Sequence, residues 1–409
     1  MNKPLPTSIW ILGFVSLLMD VSSEMIHSIL PLFLVASLGI SVAAVGVIEG
    51  VAESTALIVK VFSGALSDYF RKRKPLAVLG YCLGAFSKPL FAIATGAGLI
   101  IAARFIDRVG KGIRGAPRDA LVADLVPASQ RGAAFGLRQS LDTVGAFTGP
   151  LIATALMVLW ANDFRAIFWV AVIPAVLAVT LLIFGVKEPP LPSAGPAAIL
   201  AGSAAQPVRV NPLKLSNLRL LSSGYWWVVL IGVLFTLARF SEAFLVLRAA
   251  QVGIALHWVP LVMVAMNVLY AITAYPAGLL SDRFSKPKHR SVMLVIGLFV
   301  LIFADLVLAK AFNALHIMVG VALWGLHMGI TQGLLATLVA QAAPAQLRGT
   351  AFGFFNLGSG LAMLISSVIA GLLWDQLGAS VTFYAGAIFA GIAISLIMIG
   401  SRYWAVNRL

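Results

Sequence analysis

Twelve apolar stretches, each about twenty residues or longer, follow one another along the 409-residue chain, and no water-soluble fold has an interior large enough for all of them. They run near Ser8–Ala36, Ala43–Ser67, Leu76–Thr95, Gly98–Arg118, Arg138–Trp160, Ala166–Val186, Trp226–Arg248, Trp258–Leu280, Ser291–Leu308, Ala314–Leu335, Gly353–Leu373 and Val381–Ser401. Each matches the length of helix that crosses a hydrocarbon core of about 30 Å. The runs are continuous rather than alternating, which favours helices that satisfy their own backbone hydrogen bonds over the strands of a barrel. The expected fold class is an all-α membrane protein with twelve transmembrane helices, called spans 1 to 12 below.

Charge sets the expected orientation. The net charge of +14 would suit a nucleic-acid partner if the bases formed one face with interleaved aromatics. They sit instead in alternate loops, with Lys3, Arg71 to Lys74, Arg131, Lys187, Arg209, Lys214, Arg219, Arg283, Lys286, Lys288, Arg290, Arg348, Arg402 and Arg408 on one side. The other side holds little beyond Arg165, Arg248 and Lys310. The positive-inside rule then puts both termini in the cytoplasm of a multi-pass protein of the inner, or plasma, membrane. The single cysteine, Cys82, permits no intramolecular disulfide, and no metal or cofactor is implied.

Hydropathy collapses between Lys187 and about Ser223 into Pro, Ala, Gly and Ser, which reads as a cytoplasmic linker. It divides the chain into six-span halves, residues 1–186 and 223–409, joined by 187–222. The halves repeat. Gly64-Ala65-Leu66-Ser67-Asp68 after span 2 matches Gly278-Leu279-Leu280-Ser281-Asp282 after span 8. Leu121, Pro127, Arg131, Ala134 and Gly136 after span 4 recur with identical spacing as Leu338, Pro344, Arg348, Ala351 and Gly353 after span 10. Corresponding loops match in the same orientation, so the bundles are expected to be related by an axis along the membrane normal, with a solute site between them near the midplane.

These residues resemble the major facilitator superfamily, whose signature loop between spans 2 and 3 is a Gly-x-Leu-x-Asp stretch followed by arginines. Tyr69 and Arg71 depart from the usual basic residue and glycine, whereas Arg283 in the second copy keeps the base. The resemblance covers the whole chain and implies two pseudo-symmetric six-helix bundles. It also implies a conformational latch made by Gly64, Asp68, Arg71, Arg73 and Asp124 and their counterparts Gly278, Asp282 and Arg283. The alternative for Arg71 to Lys74 is orientation by charge alone. Gly145, Gly149 and Pro150 in span 5 are similar to the Gly-x-x-x-Gly-Pro element of proton-coupled antiporters, although the glycine pair expected after the proline is absent. Close packing alone explains the same residues.

Ionisable groups inside lipid are expensive, so each marks a candidate site. Span 1 carries Asp20, Glu24 and His27 on one helical face, and span 2 carries Glu49, Glu53 and Lys60. Span 4 carries Arg104, Asp107, Arg108, Lys111, Arg114, Arg118 and Asp119 within an arc of roughly 140°. Span 3 adds Lys88, and span 5 adds Arg138 and Asp142. Acids and bases nearly balance and must face one another or water. Proton coupling needs a carboxyl that changes ionisation between dry and wet surroundings, which makes Asp20, Glu24, His27, Glu49, Glu53 and Asp142 the candidates, led by Glu24 and Asp20. A permanently ionised network that merely orients helices is the alternative. The glycines and proline from Gly110 to Pro117 are expected to loosen span 4 toward its end. They lack the spacing and preceding strand of a phosphate loop.

In the second half Arg239 and Glu242 are expected to pair along span 7, while Asn267, Tyr270, His327, Gln332 and Asn356 join Arg104, Asp107, Arg108, Lys111 and Arg138 as candidates for lining the cavity. The chain has no His-Glu-x-x-His run or Gly-x-Ser-x-Gly elbow, so an enzyme is not expected. The expected function is secondary transport of a small organic solute by alternating access, as proton-driven efflux, by a monomer whose partners are lipid, solute and protons. Proton-coupled uptake of an organic anion is the alternative within the class, and a membrane sensor the alternative outside it.

Overall fold

The computed structural model describes residues 4–70, 72–127, 130–188, 221–283, 287–343 and 347–406. Arg71 and most of the linker lie outside the described residues, and so do the side chains of Asp68, Asp282 and Arg283. Among the described residues every regular element is helical. Eleven helices are long and apolar enough to cross a membrane, beginning with Thr7–Ser37 and ending with Ala379–Ile399. The twelfth is Ala97–Asp124, span 4, which is a helix throughout but too charged to be recognised by apolarity. Spans 2 and 3 flank it, so its charges meet protein rather than lipid.

The packing order shows the duplication directly. In the first half, span 1 packs on spans 5 and 6, span 4 on spans 2 and 3, and span 3 on span 6. Adding six to each number gives the pairs of the second half: span 7 on 11 and 12, span 10 on 8 and 9, and span 9 on 12. The bundles meet through span 2 against span 11 and span 5 against span 8, two contacts that the same operation exchanges. Small residues allow the first of these. A Cβ on Gly50 would lie 3.1 Å from the Leu364 carbonyl, and one on Gly371 would lie 2.8 Å from the Ala43 Cα.

Three features differ from the sequence expectation. Span 4 is not loosened by Gly110, Gly112 and Pro117, because those glycines serve close approach. A Cβ on Gly110 would be 2.6 Å from the Gly80 carbonyl of span 3, and one on Gly112 would be 2.9 Å from the Ala56 carbonyl of span 2. Span 5 starts about two turns before Arg138, at Arg131, so Arg138 and Asp142 lie inside a continuous helix. Span 7 is broken: helix runs over Ser223–Ala238 and again over Ala243–Gln251, with Arg239 to Glu242 between them. Arg239 and Glu242 therefore do not share a helical face, and no ion pair joins them.

Arg248, read from sequence as a loop charge, is buried at the end of span 7. Its Nε donates to the Leu308 carbonyl at 3.0 Å, and its Nη2 donates to the carbonyls of Ala309 and Ala311 at 3.1 and 2.9 Å. It thus holds carbonyls at the end of span 9 that have no intrahelical partner.

Candidate functional site

The charged seams of spans 1, 2 and 4 converge. Arg104 grips Glu49 with two bonds, Nε to Oε1 at 3.1 Å and Nη2 to Oε2 at 2.6 Å, and reaches Glu53 at 3.4 Å. One turn on, Arg108 donates to Glu53 at 3.0 Å, to Asp107 at 2.9 Å and to the ring of His27. Asp107 also accepts from Lys88 at 2.7 Å. The side chains of Arg104, Arg108, Asp107 and Lys88 are at most 3% exposed, whereas Glu53 is 29% exposed. The network is therefore dry behind and open at Glu53.

A second cluster lies along spans 4 and 5. Arg118 meets Asp119 at 3.2 Å and Asp142 at 3.8 Å, and Arg138 meets Asp142 at 3.5 Å. Asp142 faces Asp20 of span 1 closely enough for the two carboxyls to act on each other, where spans 5 and 1 pack together. Gly145 and Gly149 make that approach possible. A Cβ on Gly145 would be 2.6 Å from the Leu17 carbonyl, and one on Gly149 would be 2.7 Å from the Val21 carbonyl and 2.9 Å from the Glu24 Cβ. The Gly-x-x-x-Gly-Pro segment thus packs directly behind Asp20 and Glu24.

In front of the first network lies a partly open cavity of about 160 Å³ between the bundles. Glu24, His27, Glu49, Glu53 and Lys111 line it from the first half, and Arg239, Phe240, Ser241, Glu242, Met263 and Met363 from the second. The broken segment of span 7 supplies four consecutive lining residues, which explains its departure from helix: irregular backbone is tolerated in a membrane where it borders a polar space.

The Major Facilitator Superfamily sequence profile matches residues 12–255 and 243–403. The chain belongs to this superfamily. It is 31% identical over 411 residues to an uncharacterized MFS-type transporter of Methanocaldococcus jannaschii, covering 97% of this chain and 96% of that one. It is 26% identical over 346 residues to the multidrug resistance protein MdtH of Salmonella typhi, covering 83% of this chain and 79% of that protein. Its fold matches that of a POT family transporter solved with a thioalcohol-conjugated peptide, with a TM-score of 0.78, 14% identity and 98% of both chains covered. This superfamily member is thus a multi-pass membrane transporter and not an enzyme.

Within the superfamily fold, the candidates of the second half are distributed differently from the sequence expectation. Asn267 donates to the Ala146 carbonyl at 3.2 Å across the contact of spans 5 and 8. His327 is fully buried in the second bundle, where Nδ1 meets the Gly297 carbonyl at 2.7 Å and the ring stacks on Phe235. Neither these two nor Tyr270, Gln332 and Asn356 are among the cavity-lining residues, and Arg104, Asp107, Arg108 and Arg138 stand behind its wall or along span 5. At the latch, Arg73 donates to Asp124 at 3.2 Å and to Ser67 at 2.9 Å, joining spans 3, 4 and 2 of one bundle. Gly278 is exposed.

Sequence reasoning missed Asp305 in span 9. It is fully buried, and neither carboxyl oxygen has a hydrogen-bond partner. A Cβ on Gly386 would lie 2.6 Å from its Oδ2 and 3.3 Å from the Ala238 carbonyl, so the acid faces the break in span 7. Its presence inside an apolar run was the available signal.

Proposed function

We propose that this superfamily member is a proton-coupled secondary transporter that exports a small organic solute from the cytoplasm by alternating access. The bodies that rock are residues 1–186 and 223–409, both termini are cytoplasmic in the inner membrane, and the working unit is the monomer. One observation carries this reading: Glu24 lines the cavity between the bundles and makes no ion pair, while its neighbours Glu49 and Glu53 are held by Arg104 and Arg108. A carboxyl that is wetted by the cavity and not locked to a base can exchange a proton as the cavity changes sides. Asp20 and Asp142, two neighbouring carboxyls behind it, form the second exchangeable pair. The similarity to MdtH and the Gly145 to Pro150 segment support export over uptake.

Purified protein reconstituted in vesicles containing a pH-sensitive dye tests this. Solute movement should be accompanied by proton movement in the opposite direction. Glu24→Gln should remain folded and uncouple the two, and unchanged coupling in both Glu24→Gln and Asp20→Asn would remove the proposal.

A further inference from the structure

The cavity wall carries charged groups of both signs that the protein itself leaves without a salt bridge. Four carboxyl groups line it, Glu24, Glu49, Glu53 and Glu242, together with two bases, Lys111 and Arg239. Glu49 and Glu53 are taken by Arg104 and Arg108 from behind. Glu24, Glu242, Lys111 and Arg239 make no ion pair within 4.0 Å, yet all four border the same space. Two acids and two bases that face one cavity without touching can be bridged by an occupant carrying both signs. A singly charged occupant would leave the wall groups of one sign desolvated and unmatched, which selects against it.

Size and lining narrow the class further. A cavity of about 150 Å³ holds a molecule the size of benzene, so about 160 Å³ that is partly open suits a solute of roughly six to eight non-hydrogen atoms. Pro31, Phe240, Val246, Met263 and Met363 form apolar wall between the charged groups, and methionine adapts to varied apolar shapes. Resting on the reading that this cavity is the solute site, we infer that the transporter's substrate is a small zwitterion with an apolar side group, of amino-acid size, its ammonium toward Glu24 and Glu242 and its carboxylate toward Arg239 and Lys111.

Thermal unfolding of the detergent-purified protein tests the class, with a panel of the twenty standard amino acids. Each is accompanied by the amine left on decarboxylation and the acid left on removal of the amino group, all at equal millimolar concentration. At least one zwitterion should raise the melting temperature, with an apparent affinity at least about tenfold tighter than either of its analogues. Glu242→Gln and Arg239→Gln should abolish the shift. Lys111→Gln, at an exposed position, examines the basic side of the recognition again should Arg239→Gln not fold. A panel with no stabilising zwitterion, or an amine or acid that binds as tightly as its parent, overturns the inference. The measurement uses no membrane or pH gradient, so loss of proton coupling in vesicles would leave it standing, and its failure would leave proton coupling standing.

Discussion

Arg104 and Glu49 form a two-pronged salt bridge across spans 4 and 2, with both side chains withdrawn from water. The pair lies 55 positions apart in sequence and fixes the angle at which span 4 presents its other charges. Removing one partner leaves the other buried and uncompensated, which costs about 3–5 kcal/mol. Arg104→Met should lower stability by that amount, while Arg104→Met with Glu49→Leu should recover most of it. Arg104→Lys should recover little, because an ammonium cannot make the parallel bonds. Labelling of the single cysteine, Cys82, during thermal unfolding reads all three.

Gly149 sets the distance between spans 1 and 5. Gly149→Val would drive carbon into the Val21 carbonyl and the Glu24 side-chain stem, and overpacking of this kind costs about 1–3 kcal/mol or more. The expected result is a lower melting temperature. Gly136→Ala, at an open position on the same helix, should be neutral. Equal effects would show that the close approach has no special weight.

Arg248 is a structural cation rather than a surface one. Arg248→Met should leave the Ala311 carbonyl without a partner, while the Leu308 and Ala309 carbonyls keep the Ala311 N–H and the Ser380 hydroxyl, and cost about 1–3 kcal/mol. Hydrogen exchange should rise first in the turn from Ala309 to Asn313. A variant as stable as the parent would contradict this assignment.

Asp305 runs the other way. A fully buried carboxyl with no partner is a burden on the fold, so Asp305→Asn should raise the melting temperature, equivalent to a gain of about 1–3 kcal/mol. The amide is neutral, so it removes the cost of an ionisable carboxyl in a dry pocket. Destabilisation by this substitution would mean that the acid makes an interaction the dry pocket conceals.

Much of this architecture is readable without coordinates because lipid makes few exceptions. Apolar length sets the crossings, and the repeated Leu121 to Gly136 and Leu338 to Gly353 segments reveal the duplication. The charges of span 4 announce a helix shielded from lipid. Asp305 is not legible in the same way, because a single acid in a long apolar run carries no sequence pattern that says whether it is buried and unpartnered.

What the chain order cannot express is which opposite charges touch. Glu24 and Glu49 look equivalent in sequence, each an acid within a span, yet Glu49 is bound by Arg104 and Glu24 stands unpaired in the cavity. Arg239 and Glu242, three residues apart, read as a helical pair and are separated by a break in the helix. Burial and composition act on every residue locally and so leave a mark in the sequence. Pairing depends on distances between helices far apart along the chain, which are set only when glycines such as Gly80, Gly110 and Gly149 let the bundle close.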